Sequence, residues 1–579
     1  MSHAPSSASS LPLQNSALDT VPALRLVSIT QRELTRLKRE CSFWKAQHQR
    51  ACEREIRLKQ DLELKEAQIR DLQQRLFGKK SESNTASSSV NPPTNRPRGH
   101  QRGQRGHGRI PRPNLSVVEE QWELPGDSCC CPLCGRPYND FPGAEESDLF
   151  EIEITAHRRR ISRKRYKKGC SCQGPETLPE IIVAPPPPKV IPKSPFGISI
   201  WEHLLLSKFL YAQPLHRILR QMRDYGLPLA MGTMTGGLRR ITPLFDPLYQ
   251  ALADHQKSET RFHNDESRWE VYVEREGKVG HRWQLWVTRS SDVIHYQIAP
   301  TRSASVPIAH FAGLTAAQVI VVCDRYSAYK MLARLNPAIM LAFCWAHVRR
   351  DFLTLAKGFP EYGEWALAWV AEIGLLYHLN HHRLAHWEKT KPLEHQSPQF
   401  QQEQVRLAQQ ATAMQDRGAL LLQADQTARR QPYSPATKTT KGTLPAGLRP
   451  GELHPAQRKV LSSLEQHWSG LTLFLAHPEV PMDNNRAEQA IRNPVVGRKN
   501  YYGSGSIWSA NLAAMMFSLL QTMVLWQLNP AHWLREYLTA CARNGAKAPT
   551  DLSSFLPWTM SDDRKQQLAL PPPSLRNTS

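Results

Sequence analysis

The spacing of apolar positions changes period several times along the chain. From Val27 to Leu76 they recur every 3.5 residues: Val27, Leu34, Leu37, Cys41, Trp44, Ala51, Leu58, Leu62, Ile69, Leu72 and Leu76 take a or d positions, with Thr30, His48, Glu55 and Lys65 as polar exceptions. Charged flanks and the absence of Pro and Gly predict a coiled coil over 27–77, the alternative being a long helix folded back on the body. Residues 1–26 read as a disordered N-terminus and 78–115 as a flexible basic linker, because neither can bury a core. Residues 196–255 read as three short helices, Ile198–Tyr211, Leu215–Tyr225 and Thr233–Ile241. That pattern is compatible with helix-turn-helix, although Gly236 and Gly237 count against the third segment, and a plain helical connector is the alternative.

Between 260 and 300 the period becomes two. TRFHNDES, RWEVYVERE, HRWQLWVTRS and DVIHYQIAP predict four short strands, with GKVG as a hairpin. AAQVIVVCD (316–324) is a continuous apolar run, the pattern of a buried central strand. RYSAYKMLARL predicts a helix and IMLAFCW a second buried strand. Residues 355–470 are mostly helical in pattern, and 511–579 form a C-terminal helical segment and tail. Several antiparallel strands followed by alternating strand and helix define a multidomain α+β protein.

Composition adds a partner. Lys and Arg total 74 against 52 Asp and Glu in 579 residues, a formal charge of +22. An excess of that size argues for a polyanion, most simply nucleic acid. The linker carries Arg96, Arg98, Arg102, Arg105, Arg109 and Arg112 with no acid among them, a composition suited to tracking phosphates. Arg158, Arg159, Arg160, Arg163, Lys164, Arg165, Lys167 and Lys168 form a second, denser basic run. No apolar run reaches about 18 residues, so no membrane span is expected. The opening residues lack a basic segment followed by an apolar one, so secretion is not expected either.

The eleven cysteines cluster. Cys131-Pro-Leu-Cys134-Gly is a zinc-knuckle turn, and Cys170-Ser-Cys172 follows about 35 residues later, around a basic segment that alternates enough for a small ribbon. A closed Zn2+ site on Cys131, Cys134, Cys170 and Cys172 would hold a zinc-ribbon-like module over 116–185, with Cys129 or Cys130 as substitutes in the first pair.

Three acids stand out. Asp265 lies in the first strand segment and Asp324 ends the buried run. An Asp closing an apolar strand is desolvated unless a cation meets it, either Arg325 or a divalent metal. Glu488 follows Asn485 by three residues, which fits a capping box as well as a metal ligand on a helix.

HNDES, VVCDRYSAY, CWAHVRRDF and DNNRAEQAIRNPVVGRKNYYGSGS resemble the successive motifs of the IS66-family insertion-sequence transposases. FGKKSE, GQRGHG and CPLCG are similar to that family's N-terminal half, and SLLQTMVLWQLNPAHWLREYL and LPW to its closing segment, so the resemblance runs from about residue 30 to residue 558. It implies a DDE transposase with a ribonuclease-H-like catalytic core over 256–354 and 471–510, interrupted by a helical insertion over 355–470. The implied triad is Asp265, Asp324 and Glu488, holding Mg2+ or Mn2+ for strand cleavage and strand transfer. The implied partners are DNA (the element's terminal inverted repeats and target DNA), a second copy through the coiled coil and accessory proteins of the same element, in a bacterial cytoplasmic, nucleoid-associated setting. The chain departs from the family's usual pattern at the second cysteine pair, C-x-C for C-x-x-C, and at Ser267, where Thr is common.

Arg349, Arg350, Arg498 and Lys499 are candidates for clamping DNA phosphates, and each alone is equally a surface charge. Cys344 and His347 form a C-x-x-H read as a brace or a DNA contact, since zinc would need two further ligands. Two other functions stand beside transposition: a catalytically inactive DNA-binding relative, and a nuclease that cuts without joining.

Overall fold

The computed structural model describes residues 29–77, 117–120, 133–136, 149, 152, 154–170, 181–274, 280–430 and 451–570. The expectations for 1–26, for 78–115 with its six arginines, and for Cys131 and Cys172 lie outside the described residues.

Helix α1 (Gln31–Phe77) is 47 residues long. It starts at a capping box: Glu33 N–H donates to Thr30 Oγ1, and the Thr30 N–H donates back to Glu33 Oε2 at 2.9 Å. Leu34, Leu37, Trp44, Leu58 and Leu62 stand exposed along it. Strands β1 (Arg165–Lys167) and β2 (Ile181–Val183) pair antiparallel as a short exposed ribbon. The predicted ribbon is thus reduced to three residues on its first side, and its partner lies beyond the second cysteine pair.

Four further helices lie between the ribbon and the main sheet: α2 (Ile198–Leu205), α3 (Leu215–Asp224), α4 (Met231–Ile241) and α5 (Asp246–Gln256). A π-turn, Leu206–Leu210, extends α2. The reading of three helices misses α5, which begins with Pro247 in its first turn, where a missing N–H costs nothing. Helix α4 forms despite its two glycines. Gly237 lies against the Trp201 indole so closely that a Cβ would overlap the ring, so packing outweighs the propensity penalty.

The main sheet has five strands: β3 (Arg261–Glu270), β4 (Arg282–Arg289), β5 (Ile294–Ala299), β6 (Val319–Cys323) and β7 (Ile339–Phe343). Their order is β5-β4-β3-β6-β7; the first three are antiparallel, and β6 and β7 run parallel to β3. TRFHNDES and RWEVYVERE are one strand rather than two. Ser267 and Arg268 continue the alternation opposite Leu285 and Gln284, so nothing breaks the ladder between them.

Helices cover both faces. They are α6 (Ser305–His310), α7 (Ser327–Leu335), α8 (Trp345–Gly358), α9 (Gly363–Ala385), α10 (Pro398–Arg430), α11 (Pro455–Gln466), α12 (Trp468–Leu471), α13 (Leu473–Ala476), α14 (Asn485–Tyr501), α15 (Ile507–Leu525), α16 (Pro530–Arg543) and α17 (Asp562–Leu568). Trp283, Leu285 and Val287 of β4 enter a core shared with α2–α5, α15 and α16. Trp286, one residue out of step, enters the opposite core with β6, α7, α8 and α9, the strict period-two consequence of a pleated strand.

Helix α15 is apolar over 19 residues, long and apolar enough to cross a membrane by length and composition. It is a core helix here. Ser518 and Thr522 accept the outward N–H groups of Tyr296 and Ile294 at 2.8 and 3.1 Å, which satisfies two donors on the free edge of β5.

Candidate active site

The parallel register between β3 and β6 pairs Phe262 with Val321 and His263 with Val322. Two residues further on, the same offset sets Asp265 level with Asp324, on strands about 4.8 Å apart. Asp324 follows directly after the five buried residues of β6, and its Oδ1 accepts the Tyr326 N–H at 2.9 Å. Both aspartates are half-buried. Arg325, one proposed counter-ion of Asp324, instead binds Asp351 and Ser463. Among the described residues neither Asp265 nor Asp324 has an ion pair.

Glu488 comes from the first turn of α14, and Asn484 sets that turn in place. Asn484 is 1 % exposed. Its Nδ2 donates to the Asn264 carbonyl at 2.7 Å, its Oδ1 accepts from His263 Nδ1 at 3.2 Å, and its N–H donates to Cys344 Sγ at 3.2 Å. One side chain therefore ties the start of α14 to β3, while its backbone reaches the end of β7. The expected capping box of Asn485 with Glu488 does not form: the helix begins at Asn485, which puts Glu488 one position too late, and Asp483 Oδ1 accepts the Asn485 N–H. Further along, Pro494 sits inside α14 and leaves the Ala490 carbonyl without its helical donor. Tyr296 OH supplies that donor at 2.7 Å, fastening the helix to β5.

Among the three acids, Asp265 is the one that registers the other two. The Asp265 carboxyl is pushed up to about 7, by burial first, then by repulsion from Glu266, Asp324 and Glu488, against the opposing Glu266 N–H. Glu266, on the other side of β3, is also raised by burial and by Asp324. Its carboxylate is held by Arg302 at 2.5 Å and by Tyr329 OH at 2.7 Å. His263, behind the aspartates, is pushed down to about 4 by burial and by Arg486, Arg289 and Arg261, so it is neutral near pH 7. Sequence reasoning passed over Glu266, His263 and Asn484. The signal for the first was its place beside Asp265; for the last, an Asn immediately before a helix.

The remaining predicted residues divide. Arg350 Nη2 lies 4.0 Å from Glu488 Oε1, at the outer limit of an ion pair and largely exposed. Arg349 and Lys499 are exposed. Arg498 is half-buried and spends Nη1 on Ser267 Oγ at 3.1 Å and on the Arg268 carbonyl, so it pins α14 to β3 rather than reaching outward. The hydroxyl kept at Ser267 is the acceptor in that contact. Arg158, Arg159, Arg160, Arg163, Lys164, Arg165 and Lys167 are exposed, and Lys168 is half-buried. Cys134 and Cys170 are exposed. Cys344 and His347 meet Glu488: one ligand atom from each lies within 4.8 Å of the other two.

A carboxyl raised by neighbouring acids, as at Asp265, suits a hard divalent cation, which takes oxygen ligands and relieves such repulsion. A separate polar cavity of about 10 Å³, lined by Asn264, Thr288, His295 and His310 among others, has room for roughly one water and none for a nucleotide.

Comparison with known proteins gives the family. The chain is 25% identical over 489 residues to the uncharacterized protein y4jD of Sinorhizobium fredii, covering 82% of this chain and 85% of that one. It is 23% identical over 449 residues to y4hP of the same organism, covering 75% and 73%. A third uncharacterized relative there, y4qI, is 22% identical over 482 residues, covering 79% of each chain. No solved structure matches the chain. The family model described as "Transposase IS66 family" matches residues 193–512, which include the main sheet, all three acids and α14. The chain belongs to the IS66 family of transposases.

Proposed function

We propose that the chain is a DNA transposase that cleaves and joins strands at a DDE triad of Asp265, Asp324 and Glu488. The observation that carries the reading is the raised Asp265 carboxyl on β3, which feels Asp324 at the end of β6 and Glu488 in the first turn of α14 in addition to burial and Glu266. The strand order β5-β4-β3-β6-β7, with only β6 and β7 parallel to β3, supports a ribonuclease-H-like core. The mostly helical stretch from α9 to α11, between Asp324 and Glu488, supports the insertion reading.

Asp265, Asp324 and Glu488 would hold divalent cations, Mg2+ or Mn2+, which would supply water activation and leaving-oxygen stabilisation for in-line attack on a phosphodiester. The chain's own residues do the rest. Asp265 and Asp324 present oxygens from adjacent strands, and Glu488 closes the set from the third side. Asn484, Arg498 and Tyr296 keep α14 in register with β3 and β5. Neutral His263 holds the Asn484 carbonyl oxygen through its Nδ1–H. Arg349, Lys499 and the exposed basic residues from Arg158 to Lys167 meet phosphates and position DNA without reading its sequence. Zn2+ on Cys131, Cys134, Cys170 and Cys172 would brace the small N-terminal module. The exposed apolar seam of α1 supports pairing with a second copy as a coiled coil.

The test is Mg2+-dependent cleavage and joining of the element's own ends. Asp265→Ala, Asp324→Ala and Glu488→Ala should each lower both steps by at least about a thousandfold, near 4 kcal/mol of barrier, while DNA affinity holds. Cleavage without joining of a pre-cut 3′-hydroxyl end identifies a nuclease; DNA binding without either step identifies an inactive relative.

A further inference from the structure

Cys344 and His347 take no part in the chemistry proposed above, yet both adjoin one of its ligands. Cys344 is the residue between β7 and α8, and His347 lies in the first turn of α8. The ligand atoms of Cys344, His347 and Glu488 lie within 4.8 Å of one another. His347 Nδ1 is buried and has no hydrogen-bond partner. Cys344 is 1 % exposed, and its Sγ accepts the Asn484 N–H. Burial raises the thiol, while N–H groups of Asn484, His347 and Ala346 draw it back down. A buried thiol, an orphaned imidazole nitrogen and a carboxylate around one point form a ligand set of mixed softness. Mg2+ prefers oxygens alone; sulfur with nitrogen selects Zn2+ and similar cations.

We propose that Cys344, His347 and Glu488 form a second metal site, specific for a borderline-soft divalent cation of the Zn2+ class, which competes with the triad for Glu488. The competition rests on the triad reading; the site itself does not. Three protein ligands leave a fourth tetrahedral position for water. On binding, the Cys344 S–H bond breaks, its electron pair forms the sulfur–metal bond, and the proton leaves to solvent. His347 ligates through a neutral ring nitrogen, and nothing is oxidised or reduced. With Glu488 turned to this site, the Mg2+ site keeps two of its three carboxylates. Free zinc then acts as a brake on cleavage.

The experiment titrates the metal-stripped full chain with Co2+ and follows the thiolate-to-cobalt absorption band. The N-terminal cysteines can contribute to that band, so the readout is a difference. Wild type should bind one more Co2+ per chain than Cys344→Ser, with His347→Gln and Glu488→Gln each weakening that same ion by at least about tenfold. His347 and Glu488 are part-exposed, so a folding defect in Cys344→Ser cannot imitate all three results, and melting in EDTA checks each variant. A quadruple Cys131→Ser, Cys134→Ser, Cys170→Ser, Cys172→Ser chain should keep the one ion. Equal stoichiometry and spectra in wild type and the three single variants overturn the site. Zn2+ added to the Mg2+-loaded protein should slow DNA cleavage by wild type more than by Cys344→Ser, each relative to its own rate; equal slowing overturns the competition. If the chain cleaves no DNA with any metal, the transposase reading falls while the Co2+ stoichiometry still decides the site.

Discussion

Asp265 shows how much a single side chain registers of its surroundings. Its folded pKa near 7 lies above the ordinary 3.8, because burial and three neighbouring carboxylates disfavour its charge. A raised carboxyl stabilises the fold while protonated. That stability is complete below about pH 4 and is lost as pH climbs through 7. In the absence of divalent cation, Asp265→Asn should therefore exceed wild type by roughly 2–4 kcal/mol at pH 8 and by little at pH 4. Adding Mg2+ should stabilise wild type and leave the variant unmoved, since the ion binds only where the carboxylate remains. Denaturant titrations at the two pH values, with EDTA and with Mg2+, measure both effects. An Asp265→Asn chain no more stable than wild type at pH 8 without metal would show that the acids do not crowd one another.

At the scale of elements, the polar fastenings of α14 include Asn484 at its start, Tyr296 on the carbonyl that Pro494 releases, and Arg498 near its end. Asn484→Ala strips two of its side-chain bonds and leaves His263 Nδ1 and the Asn264 carbonyl unsatisfied, a loss of about 2–4 kcal/mol. Strand cleavage should fall at least about tenfold, because Glu488 loses its aim, while DNA affinity changes little. Comparing binding with single-turnover cleavage for this variant separates the two. The contrast also marks what was readable along the chain. β6 and β7 announce themselves as unbroken apolar runs, and the acids at Asp265 and Asp324 could be placed on strands from period alone. Glu488 could be placed on a helix, but not its capping geometry, because Asn484 is occupied elsewhere by residues more than two hundred positions away. Gly237 misled for the same reason. Its lack of a side chain is a defect within α4 and a requirement against Trp201, and only the packed fold shows the second. The meeting of Cys344, His347 and Glu488 was equally hidden, since the third ligand lies 141 residues beyond the second, by subtraction of their numbers.

For the whole molecule, charge and length dominate. With a formal +22 and an exposed run of basic residues between Arg158 and Lys168, DNA affinity should fall roughly 10³–10⁵-fold between 50 and 200 mM salt if six to ten phosphates are met. Replacing Arg158, Arg159, Arg160, Arg163, Lys164, Arg165, Lys167 and Lys168 by Gln should flatten that dependence for every DNA sequence alike, as filter binding across a salt series would show; an unchanged slope would remove the run from the interface. If α1 pairs with a second copy as proposed, Leu37→Glu with Leu58→Glu, both exposed on α1, should reduce the sedimenting species to a single chain without altering the melting of the main sheet. The distance between Asp324 and Glu488 has a temporal meaning as well. A ribosome adding about 5–20 residues per second needs roughly 10–30 s to synthesise the 164 residues from one to the other. On the triad reading, a nascent chain in that interval would carry both aspartates and lack the third ligand. Chains that end inside the helical stretch would then be unable to cleave DNA at this site.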